Sequence, residues 1–343
     1  MTLYLDFNST TPMDPRVHAE VSRCFTDAWG NPGSPHEFGR RAKELVHAAR
    51  DRTAKVVAAR RHDVIFTSGA TESNNLALLG LESYARETGR RHFVSTQIEH
   101  KSVLEPLGVL QQRGFDVTLV PPERNGRVHL EAILAALRPD TLLVSMMHVN
   151  NETGVIQPVV DLAEQLQGHN VWLHVDAAQG FGKDILPLQH PRIDLLSITS
   201  HKIFGPPGVG ALITRHRRDQ TVPLSPLMHG GGQELGLRPG TLPTALIHGY
   251  GLAAELAERE CAVRTAVCRE MRQELLQALE PLQGTIHGDA DHTLPHVLNV
   301  SFPGCDGDDV VEALEAIAAV ATGSACTSVC ATASHVLAAM KVQ

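Results

Sequence analysis

Three short stretches of the sequence carry residue types that could act together. In Val64-Ile65-Phe66-Thr67-Ser68-Gly69-Ala70-Thr71-Glu72-Ser73-Asn74-Asn75, a branched apolar run enters a turn of small residues and then a helical pattern. Free backbone N–H groups and the positive end of the helix dipole face whatever lies beyond the strand, so the turn is a cup for an anion. The same turn is compatible with an ordinary cap in which Thr71 or Ser68 supplies the oxygen. A helix terminus contributes about 0.3 to 2 kcal/mol, whereas micromolar cofactor binding needs about 8 kcal/mol, so a phosphate here requires further anchors. Asp176 closes the run Trp172-Leu173-His174-Val175-Asp176, at the carboxyl end of a strand, where open α/β sheets bind ligands. Lys202 lies just after the run Leu195 to Ile198. Alone, a strand-end aspartate caps a helix and a loop lysine is a solvated charge. Together on successive strand ends, downstream of a phosphate cup, they are what pyridoxal phosphate chemistry requires. The lysine forms the Schiff base, and the carboxylate keeps the ring nitrogen protonated so that the ring acts as an electron sink.

The elements that must position these groups follow from periodicity. Short apolar runs at Val64 to Phe66, Phe93 to Ser95, Val117 to Val120, Leu142 to Met146, Val171 to Val175, Leu195 to Ile198 and Gly210 to Ile213 alternate with helical patterns. Continuous apolar strands spaced by helices predict a mainly parallel seven-stranded sheet covered on both faces. This is an α/β fold with a large domain over residues 13–247. An opening strand (Leu3 to Phe7), a long helix from about Ile247 to Leu282, a strand at Val297 to Phe302 and a helix from Asp308 to Ala318 predict a smaller α+β domain, formed by residues 1–12 and 248–343.

The 343 residues are enough for two domains with substantial cores, and a 43% hydrophobic, 20% charged composition is that of a globular chain. The net charge of −8 argues against general nucleic-acid binding. No apolar run reaches the ~20 residues of a membrane span and the first residues lack a signal-peptide pattern, so a soluble cytoplasmic protein is expected. Six cysteines show no C-x-x-C pair or zinc spacing, and no motif organises the 19 histidines, so reduced thiols and no metal are expected.

Taken in order, further segments make the match specific. They are Tyr4-Leu5-Asp6 through Thr10-Thr11-Pro12, Gly30-Asn31-Pro32, Glu99-His100-Lys101, Met147 to Glu152, His174-Val175-Asp176-Ala177-Ala178-Gln179, His201-Lys202 with Gly205-Pro206, Gly230 to Glu234 with Arg238 to Thr241, and Gly323 to Ser328. With Phe66 to Asn75 they span nearly the whole chain, which resembles the cysteine desulfurases among the class V, fold-type I pyridoxal phosphate enzymes, in the branch with a long catalytic loop.

The resemblance implies roles residue by residue. Lys202 would bind the cofactor and act as base at the substrate α-carbon. Asp176 would pair with the ring nitrogen, Gln179 would reach the phenolate oxygen, His100 would stack on the ring and Asn151 would help to orient it. Ala70, Thr71, Thr199 and His201 would hold the phosphate, with Thr241 reaching it from the neighbouring subunit of a homodimer. At Thr199 the family often has serine, and Ser200 replaces a usual glycine. Cys326, in a small-polar stretch, would accept sulfur from L-cysteine and pass it to an acceptor protein for iron–sulfur assembly, tRNA thiolation or DNA phosphorothioation. Cys330, four residues on, could resolve a persulfide into a disulfide or be a bland neighbour, and Thr332 and Ala333 stand where the family often has an acidic-proline pair. The family pattern also continues past Ser334 to Lys341 with an arginine that grips the substrate carboxylate. A chain ending at Gln343 is therefore expected to bind cofactor but turn over cysteine weakly. Selenocysteine lyase and a non-catalytic cofactor-binding scaffold are the alternative functions.

Overall fold

Each of the seven apolar runs forms a strand of one sheet in the computed structural model, which describes residues 2–217, 220–322 and 334–342. The chain starts with β1 (Leu3–Tyr4), α1 (Pro15–Asp27) and α2 (Glu37–Val56). It continues through β2 (Val64–Thr67), α3 (Ala70–Leu79), α4 (Glu82–Thr88), β3 (His92–Thr96), α5 (Lys101–Gln112), β4 (Asp116–Val120) and α6 (Leu130–Ala135). Next come β5 (Thr141–Met147), α7 (Val159–Gln165), β6 (Trp172–Asp176), β7 (Leu195–Thr199) and β8 (Gly210–Thr214). The 36-residue α8 (Thr244–Leu279) leads to β9 (Thr285–His287), β10 (Asn299–Ser301), α9 (Gly307–Leu314), β11 (Ala318–Ala319) and α10 (His335–Ala339).

The large sheet has the order β2-β8-β7-β6-β5-β3-β4, and only β8 runs antiparallel to its neighbours. Every residue of β2, β3, β5, β6, β7 and β8 is buried, as strands covered by helices on both faces must be. The edge strand β4 is largely accessible, and only Val120 is buried. In register, Met147, Asp176 and Ser197 sit side by side on β5, β6 and β7, so their carboxyl ends open on a common crevice.

Local chemistry starts the flanking helices. Asp14 accepts the Arg16 amide at 2.9 Å ahead of Pro15, a favourable first helical residue, and His36 Nδ1 accepts the Gly39 amide at 3.2 Å. The first half of α8 is buried against α1 and α2, and none of its residues beyond Ala257 is.

Three boundaries differ from the sequence reading. The opening strand covers only Leu3 and Tyr4, because its parallel partner β11 has two residues and a turn follows at Asp6, whose carbonyl accepts the Ser9 amide at 3.2 Å. The helix expected from Asp308 to Ala318 ends at Leu314, and Ala318 enters β11 instead. The strand expected over Val297 to Phe302 narrows to Asn299–Ser301 and gains an antiparallel partner, β9, which periodicity did not show.

Candidate active site

The anion cup is built as a cup and not as a capped helix. Gly69 is the N-cap residue of α3 and no side chain caps the first turn; the Glu72 carboxylate instead reaches back to the Ser68 amide at 2.7 Å. Neither Thr71 nor Ser68 supplies the capping oxygen. Gly69 adopts φ +156°, and β8 closes on it through Gly210, where a Cβ would fall 2.7 Å from the Gly69 Cα. Thr199 Oγ1 is buried with no partner among the described residues, and a Cβ on Gly69 would lie 3.7 Å from it. An unpaired buried hydroxyl beside the start of α3 is a waiting donor for an anion.

Asp176 is 4% exposed and its charge is met from two directions. Asn74 Nδ2 donates to Oδ2 at 2.7 Å and the Ala178 amide to Oδ1 at 2.9 Å. Lys202 follows β7, and its ammonium donates to the carbonyls of Asn8 and Ser9, the latter at 2.8 Å. Gln179, also buried, donates from Nε2 to Asn8 O at 2.8 Å and accepts Lys183 Nζ at 3.2 Å. The N-terminal segment is locked over this face. Thr11 donates from its amide and hydroxyl to His201 O at 2.9 and 2.8 Å, and accepts the Phe204 amide at 2.8 Å.

His100 caps α5 through Nδ1, and burial holds its imidazole below the ordinary histidine range, with Lys202, His335 and Lys101 acting in the same direction and Asp176 against it. Burial likewise pushes His201 down to about 4 and Lys183 down to about 7, with Lys202 contributing to both. Its neighbour Glu99 is fully buried, and burial pushes its carboxyl up to about 8 despite hydrogen bonds from the Thr96 hydroxyl (2.6 Å) and the Met147 amide (3.0 Å).

Ala70, Thr71, Thr199, His201 and Lys202 thus gather round the cup and the end of β7, while Asp176, Gln179 and His100 line the crevice beside them. Asn151 lies next to the N-terminal segment, its carbonyl accepting Asn8 Nδ2 at 3.1 Å. Thr241 is exposed on the loop before α8. That loop is held by Glu234, which accepts Arg50 Nη1 (2.8 Å) and the Phe66 amide (2.7 Å), and by Arg238, which donates to Glu72 at 3.0 Å. Cys326 and Cys330 lie outside the described residues. The sequence reading gave no role to Asn8, Asn74, Glu99, Ser102 or Lys183. Asn74 and Ser102 carry a legible signal only in hindsight of the fold: one is four residues past the cup residue Ala70, the other two past His100. Among the described residues the fold also brings His62, Asp63 and His216 together, with ligand atoms within 4.8 Å. Asp63 is engaged there structurally, accepting the Arg60 amide at 2.8 Å and His216 Nδ1 at 3.2 Å.

Residues 3–342 match the family described as aminotransferase class-V. The chain belongs to this family. Among its relatives, the class-V protein named cysteine desulfurase IscS of Enterobacter sp. (strain 638) is 41% identical over 344 residues, covering 99% of this chain and 84% of that one. IscS of Escherichia coli (strain K12 / DH10B) matches with the same figures. Of solved structures, DndA from Streptomyces lividans is 48% identical with a TM-score of 0.87, covering 98% of this chain and 94% of that one. A NifS-like protein is 37% identical with a TM-score of 0.92, over 100% and 90% of the two chains. SspA in complex with cysteine is 35% identical with a TM-score of 0.86, over 100% and 95%. The class-V family implies pyridoxal 5'-phosphate, and the site fits it: an open helix start with an unpartnered Thr199 hydroxyl for the phosphate, a buried acceptor-only Asp176 for a protonated ring nitrogen, and a lysine between them.

Proposed function

We propose that this cysteine desulfurase removes sulfur from L-cysteine through Lys202, His100 and Cys326, releasing L-alanine and passing the sulfur to an acceptor protein. When bound, pyridoxal phosphate supplies the electron sink that lets bonds at and beyond the substrate α-carbon break. The observation that carries the reading is the buried Asp176 with both carboxylate oxygens satisfied by donors that cannot neutralise it, at the strand end adjoining Lys202. Such a carboxylate holds a ring nitrogen in its protonated form. Lys202 Nζ would hold the cofactor covalently and, once the substrate amine has displaced it, would be the amine that takes the proton of the α-carbon. Its contacts to Asn8 O and Ser9 O aim the side chain. Gln179 and Asn151 orient the ring, His100 covers its face, and Ala70, Thr71, Thr199 and His201 take the phosphate.

Cys326 attacks the substrate sulfur. The C–S bond of cysteine breaks, a proton goes to the carbon that becomes the alanine methyl, and the S–S bond of a persulfide forms, so no external oxidant is required. Ser334, eight residues after Cys326, is anchored beside this site by donating to Glu152, and His335 Nε2 donates to Glu99 O at 2.9 Å. That anchoring holds the start of α10 beside the crevice. Of the other cysteines, burial raises the thiols of Cys24, Cys261 and Cys268, which makes them poor nucleophiles.

The reading includes a large domain over 13–247 and a small one from 1–12 and 248–343, supported by the pairing of β1 with β11. It includes a cytoplasmic homodimer in which Thr241 serves the partner's phosphate site, supported by the exposure of Thr241 and of the stacked Trp29–Phe38 pair. No helix among the described residues is long and apolar enough to cross a membrane.

The test is release of alanine and sulfide from cysteine, with mass spectrometry of the Cys326 peptide. Sulfur added to that peptide, and lost with turnover in Cys326→Ala, is the expected result. Undiminished turnover in Cys326→Ala, or sulfur resident on Cys330 or Cys305, would refute the assignment.

A further inference from the structure

A closed chain of hydrogen bonds runs from Asp176 to the ring of His100 through two residues without any other evident task. Asn74 donates one Nδ2 hydrogen to Asp176 Oδ2 (2.7 Å) and the other to Ser102 Oγ (2.8 Å). Because an ionised carboxylate only accepts, the amide of Asn74 must face it with nitrogen. Its Oδ1 is left buried without a partner among the described residues, the cost of that orientation. Ser102 Oγ accepts from Asn74, so its own hydrogen goes to its remaining partner, His100 Nδ1, at 2.7 Å. The Ser102 amide points to the same ring nitrogen at 3.1 Å. A nitrogen that receives two donors carries no proton, which leaves the ring proton of neutral His100 on Nε2. Asn74 is 0% and Ser102 8% exposed, so water does not compete for these bonds.

We propose that Asn74 and Ser102 are positioning residues that fix His100 as the neutral Nε2–H tautomer and make this state depend on the ionised form of Asp176. The proposal rests on the reading of His100 as the residue over the cofactor ring. It adds a reason why the edge of that residue carries an N–H at Nε2 and not a lone pair, and why Nδ1 of His100 is unavailable as a base. Asp176 thereby does two things: it holds the ring nitrogen and, through Asn74 and Ser102, sets the proton of the histidine on the same ring. The other charged or titratable groups acting on His100 are Lys202, Lys101 and His335, and they are unchanged by substitutions at Ser102.

The experiment is histidine-selective ¹⁵N NMR of the holoenzyme, with the His100 signals assigned from His100→Gln. The wild-type protein should show His100 with a bare Nδ1 and a protonated Nε2. Removing the hydroxyl in Ser102→Ala takes away a donor that favours the uncharged ring, so the His100 pKa should rise by about 0.5 to 1 unit. Ser102→Thr should restore it, and the corresponding limb of the kcat profile should move in step. A wild-type His100 protonated at Nδ1 overturns the proposal without recourse to any variant. An unmoved titration in Ser102→Ala overturns it as well, even if turnover falls. Full turnover in His100→Gln overturns the ring-face reading itself, which the tautomer measurement on its own does not address.

Discussion

Asp176 and Lys202 stand at the ends of adjacent strands, yet they are held by different kinds of partner. Asp176 is gripped by a side-chain network, Asn74 with Ser102 behind it, plus one nearby amide. Lys202 and Gln179 are held by backbone carbonyls of the segment around Asn8, some of the most sequence-distant contacts in the molecule. The first arrangement joins side chains that are themselves buried, Asp176 on β6, Asn74 on α3 and Ser102 on α5. The second draws on main-chain carbonyls of Asn8 and Ser9, in a half-buried segment at the start of the chain. In the proposed reaction the ring-nitrogen partner stays put through the cycle, whereas the lysine exchanges partners. The two halves of the site are built accordingly.

The contrast is tested hardest at its two ends. Lys202→Ala should abolish covalent retention of the cofactor and reduce alanine release by several orders of magnitude, with the fold intact, since the N-terminal segment that Lys202 binds is also held by the amide and hydroxyl of Thr11 on His201 O. Visible absorbance and borohydride trapping would be read in both proteins. Colour in the variant that borohydride discharges while leaving the reduced cofactor attached to the polypeptide would show that another amine carries it, with Lys183, beside Gln179, a candidate.

A smaller effect is expected from Asp176→Asn, and it should exceed that of Gln179→Ala. Losing a charge-assisted pair costs about 1.5 to 3 kcal/mol, or roughly ten- to a hundredfold in kcat/KM. The Asn74 orientation is also set by the Asp176 charge, so this substitution should lower thermal stability. Gln179→Ala gives up a bond to Asn8 O that water can replace, and should reduce turnover by less than tenfold. Steady-state kinetics and melting curves of the two variants side by side decide it; an equal loss from both would erase the distinction drawn between the two halves.

Much of this was legible beforehand, for physical reasons. Strands buried on both faces must be written in unbroken apolar runs, so the six buried strands of the sheet could be read directly, as could the edge strand β4 from its branched residues, the cup at Gly69 and the strand-end Asp176. Three-dimensional closure was not legible. Nothing in the spacing ties Asn8 to Lys202, almost two hundred residues away, or says that the hydroxyl of Ser102 meets the amide of Asn74. The two-residue β1 and three-residue β9 are set by pairing with β11 and β10 and have no periodicity of their own. The Gly230 to Glu234 motif, read only through resemblance, proves to be a tether: Glu234 binds Arg50 and the backbone of β2, which fixes the loop bearing Thr241.

Glu99 supplies a test of the buried side that does not involve turnover. Its folded pKa of about 8 lies above the ordinary 4.5, so its contribution to stability is complete below about pH 4.5 and is lost as pH rises through 8. Glu99→Gln keeps an acceptor for Thr96 and Met147 and cannot ionise. Between pH 5 and pH 9 the wild-type melting temperature should therefore fall relative to that of the variant, by an amount equivalent to several kcal/mol at most. Parallel curves would mean that Glu99 ionises freely and that the crevice is wetter than its burial implies.

The smallest expected change comes from Ser200, the residue at which the family pattern has glycine. Its backbone carbonyl accepts the Ile203 and Gly205 amides at 3.0 and 3.2 Å, bonds that any residue could provide. Its hydroxyl is buried with no partner among the described residues, facing Gly205, where a Cβ would fall 2.1 Å from Oγ. The serine thus occupies space beside a glycine without a compensating hydrogen bond, and an unsatisfied hydroxyl costs about 1 to 3 kcal/mol. Ser200→Ala removes that cost and opens a void of a single oxygen atom, which takes back part of the gain. The net should be a rise in stability of at most about 1 kcal/mol, with kcat and KM unchanged, measured by denaturant melts and cysteine titrations on the holoenzyme. A drop in stability or in cofactor affinity would instead place the Ser200 hydroxyl among the groups that hold the phosphate, next to Thr199, and would extend the side-chain network of Asp176 to the neighbouring strand.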